Sequence, residues 1–362
     1  MQLRPAFSLL LVPLLYWALL AISTGTAHAQ ETKAAVEPHI AVILPLQSAS
    51  FGKLADSARL GILAAAGADQ GTTAKLHVYA TTEDPQQILD AYGRAVAAGA
   101  RAVIGPLTRN GVTTLAYSGI VSVPTLALNM PEGEILLPRN LYVFGLQLEA
   151  ETRQVARLAF EQQRGHRVFV VSGDSALDSR VTQAFLSEWA VLKGEVAGQF
   201  LYTTEPAGLT KLRDQLVESR ADIVFLTMGA TRVRFIRSYL GGSLPVYATS
   251  QVLTSSSDTL ANYDLDGVRF LDMPWLLQPD HPAVLSYLRP DNPGTPLDQE
   301  RFYALGIDAY RLIQELLHPH RNADPLDGVT GTIKLGDAQQ FLRTLVPAQF
   351  IQGTARPMSP GR

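Results

Sequence analysis

The sequence predicts an α/β protein of two Rossmann-like lobes facing each other across a cleft, and three observations predict it. From His39 onward, short β-rich apolar runs alternate with amphipathic segments at helical spacing, the pattern of a parallel sheet covered by helices. The alternation occurs twice, in two stretches of comparable length that meet near Glu149. Of the 362 residues, 47% are hydrophobic and 17% charged, a globular composition with enough apolar surface for sizeable cores.

The first half opens on a strand at 40–46, followed by a helix at 55–66 and a strand at 76–81. Pro85 then starts a helix at a position where its missing N–H costs nothing, with Ile88, Leu89, Tyr92 and Val96 as the buried stripe. Strands at 102–105, 125–129 and 141–146 and a helix at 111–118 complete this half.

The second half begins with a helix carrying Val155, Leu158 and Ala159 and continues into a strand at 168–172. Asp178 is the expected N-cap of a helix with the stripe Val181, Phe185, Trp189 and Leu192, ended by Gly194. Strands at 199–203, 223–228 and 246–249, helices at 209–219 and 231–240, and a final strand at 267–272 follow. A Pro-rich stretch at 278–296 reads as irregular and exposed. The clearest helix, at 301–317, carries Phe302, Leu305, Ala309, Leu312, Ile313 and Leu316 on one side and needs a sheet after the second lobe is complete, so it is assigned to the first. A short hairpin is expected at 329–335.

The expected lobes are 38–146 plus about 282–327, and 147–281 plus about 328–353, followed by a disordered tail at 354–362. Three chain crossings are expected, near Leu146, between Trp275 and His281, and near Asp327.

Residues 1–29 read as a signal peptide, in which Arg4 precedes an apolar run interrupted by Pro13 and Ala27-His28-Ala29 supplies the cleavage site. The chain contains no cysteine, so the expected product is exported, soluble and unlipidated, without disulfides. A formal charge of −3 with scattered Lys and Arg argues against nucleic acid as a partner.

No catalytic, cofactor or metal motif emerges. Gly105-Pro106-Leu107-Thr108 lacks the spacing of a phosphate cradle. Gly173-Asp174-Ser175 resembles an esterase turn, but Asp280-His281 in a Pro-rich loop is a poor base. His318 and His320 have no third ligand, and Asp264-Leu265-Asp266-Gly267 reads as a polar turn rather than a calcium loop. The expected output is therefore binding rather than catalysis.

Ligands of open α/β sheets lie beyond the carboxyl ends of the strands. Those ends nominate Gln47, Ser48, Leu107, Thr108 and Asn129 in the first lobe, and Asp174, Gly229, Thr249, Ser250, Gln251, Asp272 and Trp275 in the second. Trp275 and the 278–296 stretch are also the expected contact region for a protein partner.

Several of these residues sit in stretches that carry a family resemblance. Asp266-Gly267-Val268-Arg269-Phe270-Leu271-Asp272-Met273-Pro274-Trp275 and Ala304-Leu305-Gly306-Ile307-Asp308-Ala309-Tyr310 are its specific parts, supported by Pro124-Thr125-Leu126-Ala127-Leu128-Asn129 and Leu244-Pro245-Val246-Tyr247-Ala248-Thr249-Ser250. The chain resembles the LppC, or LpoA-like, penicillin-binding protein activators from about His39 to Gly353. The resemblance implies the type I periplasmic binding protein fold and a periplasmic protein of a Gram-negative envelope that binds and stimulates a class A penicillin-binding protein. Better-studied members are lipoproteins with a helical-repeat domain; this sequence has no cysteine for acylation and no repeat region before its first strand. The same fold leaves a second function open, a periplasmic solute-binding protein delivering an amino acid or similar small polar ligand to an ABC transporter, with Thr108, Arg109 and Asp272 as contacts.

Overall fold

The structure is a computed structural model that describes residues 37–69, 75–254, 259–290, 295–318 and 325–358. The predicted signal peptide lies outside the described residues. In chain order the first lobe comprises β1 (His39–Leu44), α1 (Gly52–Ala68), β2 (Lys75–Ala80), α2 (Pro85–Ala97), β3 (Ala100–Ile104), α3 (Arg109–Tyr117), β4 (Thr125–Ala127) and β5 (Leu141–Val143). The second comprises α4 (Leu148–Gln162), β6 (Arg167–Ser172), α5 (Ala176–Val191), β7 (Glu195–Leu201), α6 (Pro206–Ser219), β8 (Ile223–Leu226), α7 (Ala230–Arg237), β9 (Val246–Ala248), α8 (Thr259–Asn262) and β10 (Val268–Asp272). Two short helices, α9 (Pro274–Leu277) and α10 (Pro282–Leu285), precede α11 (Leu297–Leu317) and the strands β11 (Leu326–Gly328), β12 (Gly331–Leu335), β13 (Phe341–Thr344), β14 (Val346–Ile351) and β15 (Thr354–Pro357).

The first sheet has the order β2-β1-β3-β4-β5, all parallel. The parallel part of the second, β7-β6-β8-β9-β10, repeats that order, and β14 and β15 extend it antiparallel. Each sheet is covered on both faces, which is why β1 after His39 and the whole of β8 are unbroken apolar runs with every residue buried. The edge strand β2 has no fully buried residue: Lys75, Val78 and Ala80 are exposed and Leu76, His77 and Tyr79 are half-buried.

Local signals explain the helix starts. Asp84 caps α2 by accepting the Gln86 N–H at 2.9 Å, with Pro85 as first helical residue. At α5 the cap is Ser175, not Asp178: Ser175 Oγ accepts the Asp178 N–H at 3.0 Å and Asp178 Oδ2 accepts the Ser175 N–H at 3.2 Å. The sequence placed the cap three residues late because both members of a capping box are good caps.

Helix α11 returns to the first lobe and makes the most extensive helix contact there, against α1. The two backbones approach at a pair of glycines. A Cβ on Gly306 would stand 2.0 Å from the Ala58 carbonyl oxygen, and one on Gly61 would stand 1.9 Å from that of Tyr303. Around this contact Ile62, Ala65, Ile307 and Tyr310 close one face of the first-lobe core.

The structure moves one crossing and the tail. Met273 and Trp275 pack into the first-lobe core, Leu277 into the second-lobe core and Leu276 against both, so the chain passes between the lobes along α9. Strands β11 to β13 form a three-stranded sheet rather than a hairpin, and Val329, Ile333 and Phe341 pack into the first lobe. Leu345 is in the second-lobe core, so the third crossing falls between Phe341 and Leu345 rather than near Asp327. The expected end of the sheet at Asp272 and the tail from 354 are both corrected by β14 and β15, whose turn is held by Asp266 accepting the Gln352 and Gly353 N–H groups at 3.0 and 2.8 Å.

Replacing Gly306 by Ala should lower stability by about 1–3 kcal/mol, because overpacking against a backbone carbonyl outweighs the gain in helix propensity. Gly93→Ala in α2, where nothing lies within 4 Å of the new Cβ, should be neutral or stabilising. Urea midpoints of the two variants check this; equal midpoints would remove the glycine contact from the account.

Candidate functional site

Between the lobes lies a cleft of about 890 Å³. It is built from the loops after β4, β9 and β10 and from the first turns of α3, α4 and α11. Arg301, one turn into α11 of the first lobe, spans its floor. Arg301 Nη2 donates to Asp272 Oδ2 at the end of β10 (2.7 Å) and to the carbonyls of Ser250 and Leu253 (3.1 and 3.0 Å), while Nη1 donates to Asp298 (2.9 Å). The pair is buried, with side-chain exposures of 11% and 3%. Burial alone would lower the Arg301 pKa; the Asp272 charge and hydrogen bond outweigh it and hold the group above its ordinary value.

Glu151, in the first turn of α4, lies on the same floor and accepts the Ser250 N–H at 2.6 Å and the Ser250 hydroxyl at 2.9 Å. Burial, and secondarily the Asp272 charge, push its carboxyl up to about 7, against the Ser250 donors and Arg301. At the rim a second link joins the lobes: Glu149 Oε1 accepts from Arg180 at 2.9 Å and from Arg109 of α3 at 3.4 Å. Being half open to water, that link contributes at most about 1 kcal/mol.

Of the residues nominated from strand ends, Asn129, Ser250, Gln251 and Asp272 line this cleft. Asn129 is occupied locally, donating to the Leu107 carbonyl at 3.0 Å and accepting the Met130 N–H at 2.9 Å, whereas Gln251 Oε1 has no partner. The other eight stand elsewhere. Gln47 lines a small cavity with Thr81 and Arg94, and Ser48 bonds to Glu83 and accepts the Phe51 N–H. Leu107 is core, and Thr108 caps α3 through the Gly111 N–H at 3.3 Å. Asp174 pairs with Arg232 at 2.8 Å, Gly229 starts α7, and Thr249 is fully buried.

Trp275 is fully buried beside Tyr303, with the Arg289 guanidinium 4.7 Å above its ring, so it is neither cleft lining nor an exposed anchor. Strand-end position alone could not separate caps and core from cleft. The residues missed, Glu151, Arg301 and Arg343, project from helices and a late strand; a cation near the N-terminal end of α11, where the helix dipole disfavours it, was the available signal.

Because native Glu151 keeps its proton to about pH 7 and an unfolded glutamate loses it near 4.5, stability should fall as pH rises through that window and stay reduced above it. Glu151→Gln should flatten this dependence and exceed the wild type at pH 8 by on the order of 2–3 kcal/mol. Urea unfolding at pH 5 and pH 8 checks it; a variant less stable than wild type at pH 8 would contradict the assignment.

Comparison with known proteins places this architecture. The family model described as "LppC putative lipoprotein" matches residues 29–353. "Penicillin-binding protein activator LpoA" of Edwardsiella ictaluri is 25% identical over 382 residues, covering 93% of this chain and 53% of that protein. The chain thus spans about half the length of the curated relatives it matches. Among solved structures, a "putative branched-chain amino acid ABC transporter" from Chromobacterium violaceum is 39% identical with a TM-score of 0.73, covering 87% of this chain and 100% of that one. The LpoA C-domain from Haemophilus influenzae, titled a regulator of PBP1A, is 22% identical with a TM-score of 0.74, covering 89% and 100%. On the match across nearly all of its described length, the chain belongs to the LppC family, carried on a type I periplasmic binding protein fold.

Proposed function

We propose that the protein is a non-catalytic periplasmic regulator that binds a class A penicillin-binding protein and stimulates peptidoglycan synthesis. The observation that carries this reading is the engagement of the cleft's strand-end groups Asp272 and Ser250 by side chains from helices α11 and α4. Asp272 holds Arg301, Ser250 holds Glu151, and Thr108, outside the cleft, caps a helix, so the hydroxyls and carboxylate expected to grip an amino acid are engaged within the fold. The curated relatives named as activators support it, and the proposal assigns partner binding to the two-lobed part that this chain shares with them. Exposed Leu285 and Leu288 in the Pro-rich segment, rather than Trp275, supply the apolar contact. None of the described helices is long and apolar enough to cross a membrane, and the reading takes export to depend on residues 1–29.

The 39% identity to the Chromobacterium protein favours a second reading, a solute-binding protein serving an ABC transporter. In that case Gln251, whose side-chain oxygen is buried without a partner, would meet the solute. The two are separated by mixing the purified protein with the class A synthase of its own organism and following glycan polymerisation and cross-linking. A complex at micromolar concentrations and a rise in synthesis are expected. No complex and unchanged rates, together with tight binding of an amino acid in calorimetry, would overturn the regulator reading and support the other.

A further inference from the structure

A second cavity, of about 560 Å³, lies at the hinge between α4 and the strands β12 and β13. It meets the interlobe cleft at Glu151, Arg153 and Arg343, which line both, and its size falls within the range of small-molecule sites.

Its charges do not balance. Arg153, Arg157, Lys334 and Arg343 line it against Glu151 and Glu161. Arg157 is paired with Glu188 at 2.7 Å, and Glu151 is taken up by Ser250. Arg153, Lys334 and Arg343 make no ion pair among the described residues. Arg343 is the informative member, because it is half-buried while Arg153 and Lys334 are exposed. The hydrogen bond its guanidinium makes, to the Thr330 carbonyl, is 3.3 Å long. Burial lowers its pKa, against the nearby carboxylates of Glu151, Asp272 and Asp308. Those carboxylates have partners of their own: Ser250 for Glu151, Arg301 for Asp272, and Thr330 and Arg311 for Asp308. The backbone that presents Arg343 is fixed, since Gln154 of α4 donates to the Arg343 carbonyl at 2.9 Å and accepts the Leu345 N–H at 3.1 Å.

A guanidinium offers a planar fork of donors that matches two oxygens of one anion, and leaving it half-buried with a single neutral acceptor is unfavourable. Arg301 in the same protein shows the satisfied alternative, a buried guanidinium with its carboxylate. We propose that the hinge cavity binds an oxyanion group, carboxylate or phosphate, of a small ligand, held by Arg343 with Arg153 and Lys334 beside it.

Thermal unfolding of the intact protein in inorganic phosphate and in citrate, at ionic strength held constant with sodium chloride, tests this. The expected result is a saturable rise in Tm with at least one of the two anions and none with chloride, and which anion acts assigns the group. Arg343→Met should abolish that rise. In chloride alone the variant should match or exceed the wild-type Tm, because it removes an unpaired cation, and this separates lost binding from failure to fold. Absence of a saturable response in the wild type, an equal response in Arg343→Met, or a variant Tm well below wild type in chloride would each overturn the proposal.

Discussion

The close approach of α1 and α11 at Gly61 and Gly306 is the constraint on which the remaining geometry rests. It brings a helix that follows the whole second lobe in sequence back onto the first. It also fixes the rotation of α11 about its axis. With Gly306 and Tyr310 turned into the first-lobe core, Arg301 is aimed at Asp272 across the cleft and Asp308 at the turn between β11 and β12. Asp308 accepts the N–H groups of Val329 and Thr330 at 3.1 and 2.7 Å, which docks the third sheet on the first lobe before the chain crosses for the last time. The same helix thus carries one side chain that ties the two lobes together, Arg301, and another that holds the third sheet on the first lobe, Asp308.

The interlobe pair does more for specificity than for net stability. Removing two charges from water costs several kcal/mol per ion, and a buried Arg–carboxylate pair about recovers that cost. What the pair supplies is geometry: Nη2 of one guanidinium reads a carboxylate and two carbonyls of the other lobe while Nη1 is held by Asp298 of its own helix. The Glu151 carboxyl, next to Asp272 and bonded to Ser250, completes a floor in which Arg301, Asp272, Ser250 and Glu151 are directed at one another, leaving Gln251 Oε1 without a partner. Under the proposed regulator reading, a cleft whose floor is tied by the protein's own side chains would suit a partner that needs a surface of fixed shape.

The sheets and most helices were legible because apolar runs and helical stripes report burial directly, as β1, β8 and the Val181–Phe185–Trp189 face of α5 show. The return of α11 to the first lobe was legible from its unbroken apolar side. The specific motifs acquire physical reasons in the fold: Gly306 and Asp308 for the close helix contact and the docked turn, Asp266 for the β14–β15 turn, Asp272 for the pair with Arg301. The third sheet was not legible. Its strands are three to five residues long, too short for alternation to say which lobe they cover. Two-thirds of the strand-end nominees fell away from the cleft for a related reason. A cap, a buried hydroxyl and a cleft-lining hydroxyl look alike in sequence, and only burial and tertiary surroundings distinguish Thr108, Thr249 and Ser250.

The central claim is that internal contacts, not a captured solute, set the relation between the lobes. It is tested most directly by electron–electron distance measurement between spin labels on single cysteines placed at Gln86 on α2 and Gln183 on α5, both exposed, in a chain with no cysteine of its own. The account predicts one narrow distance distribution, unchanged by added amino acids and broadened by Arg301→Met. Two populations in the free protein that collapse to one on adding an amino acid would contradict it.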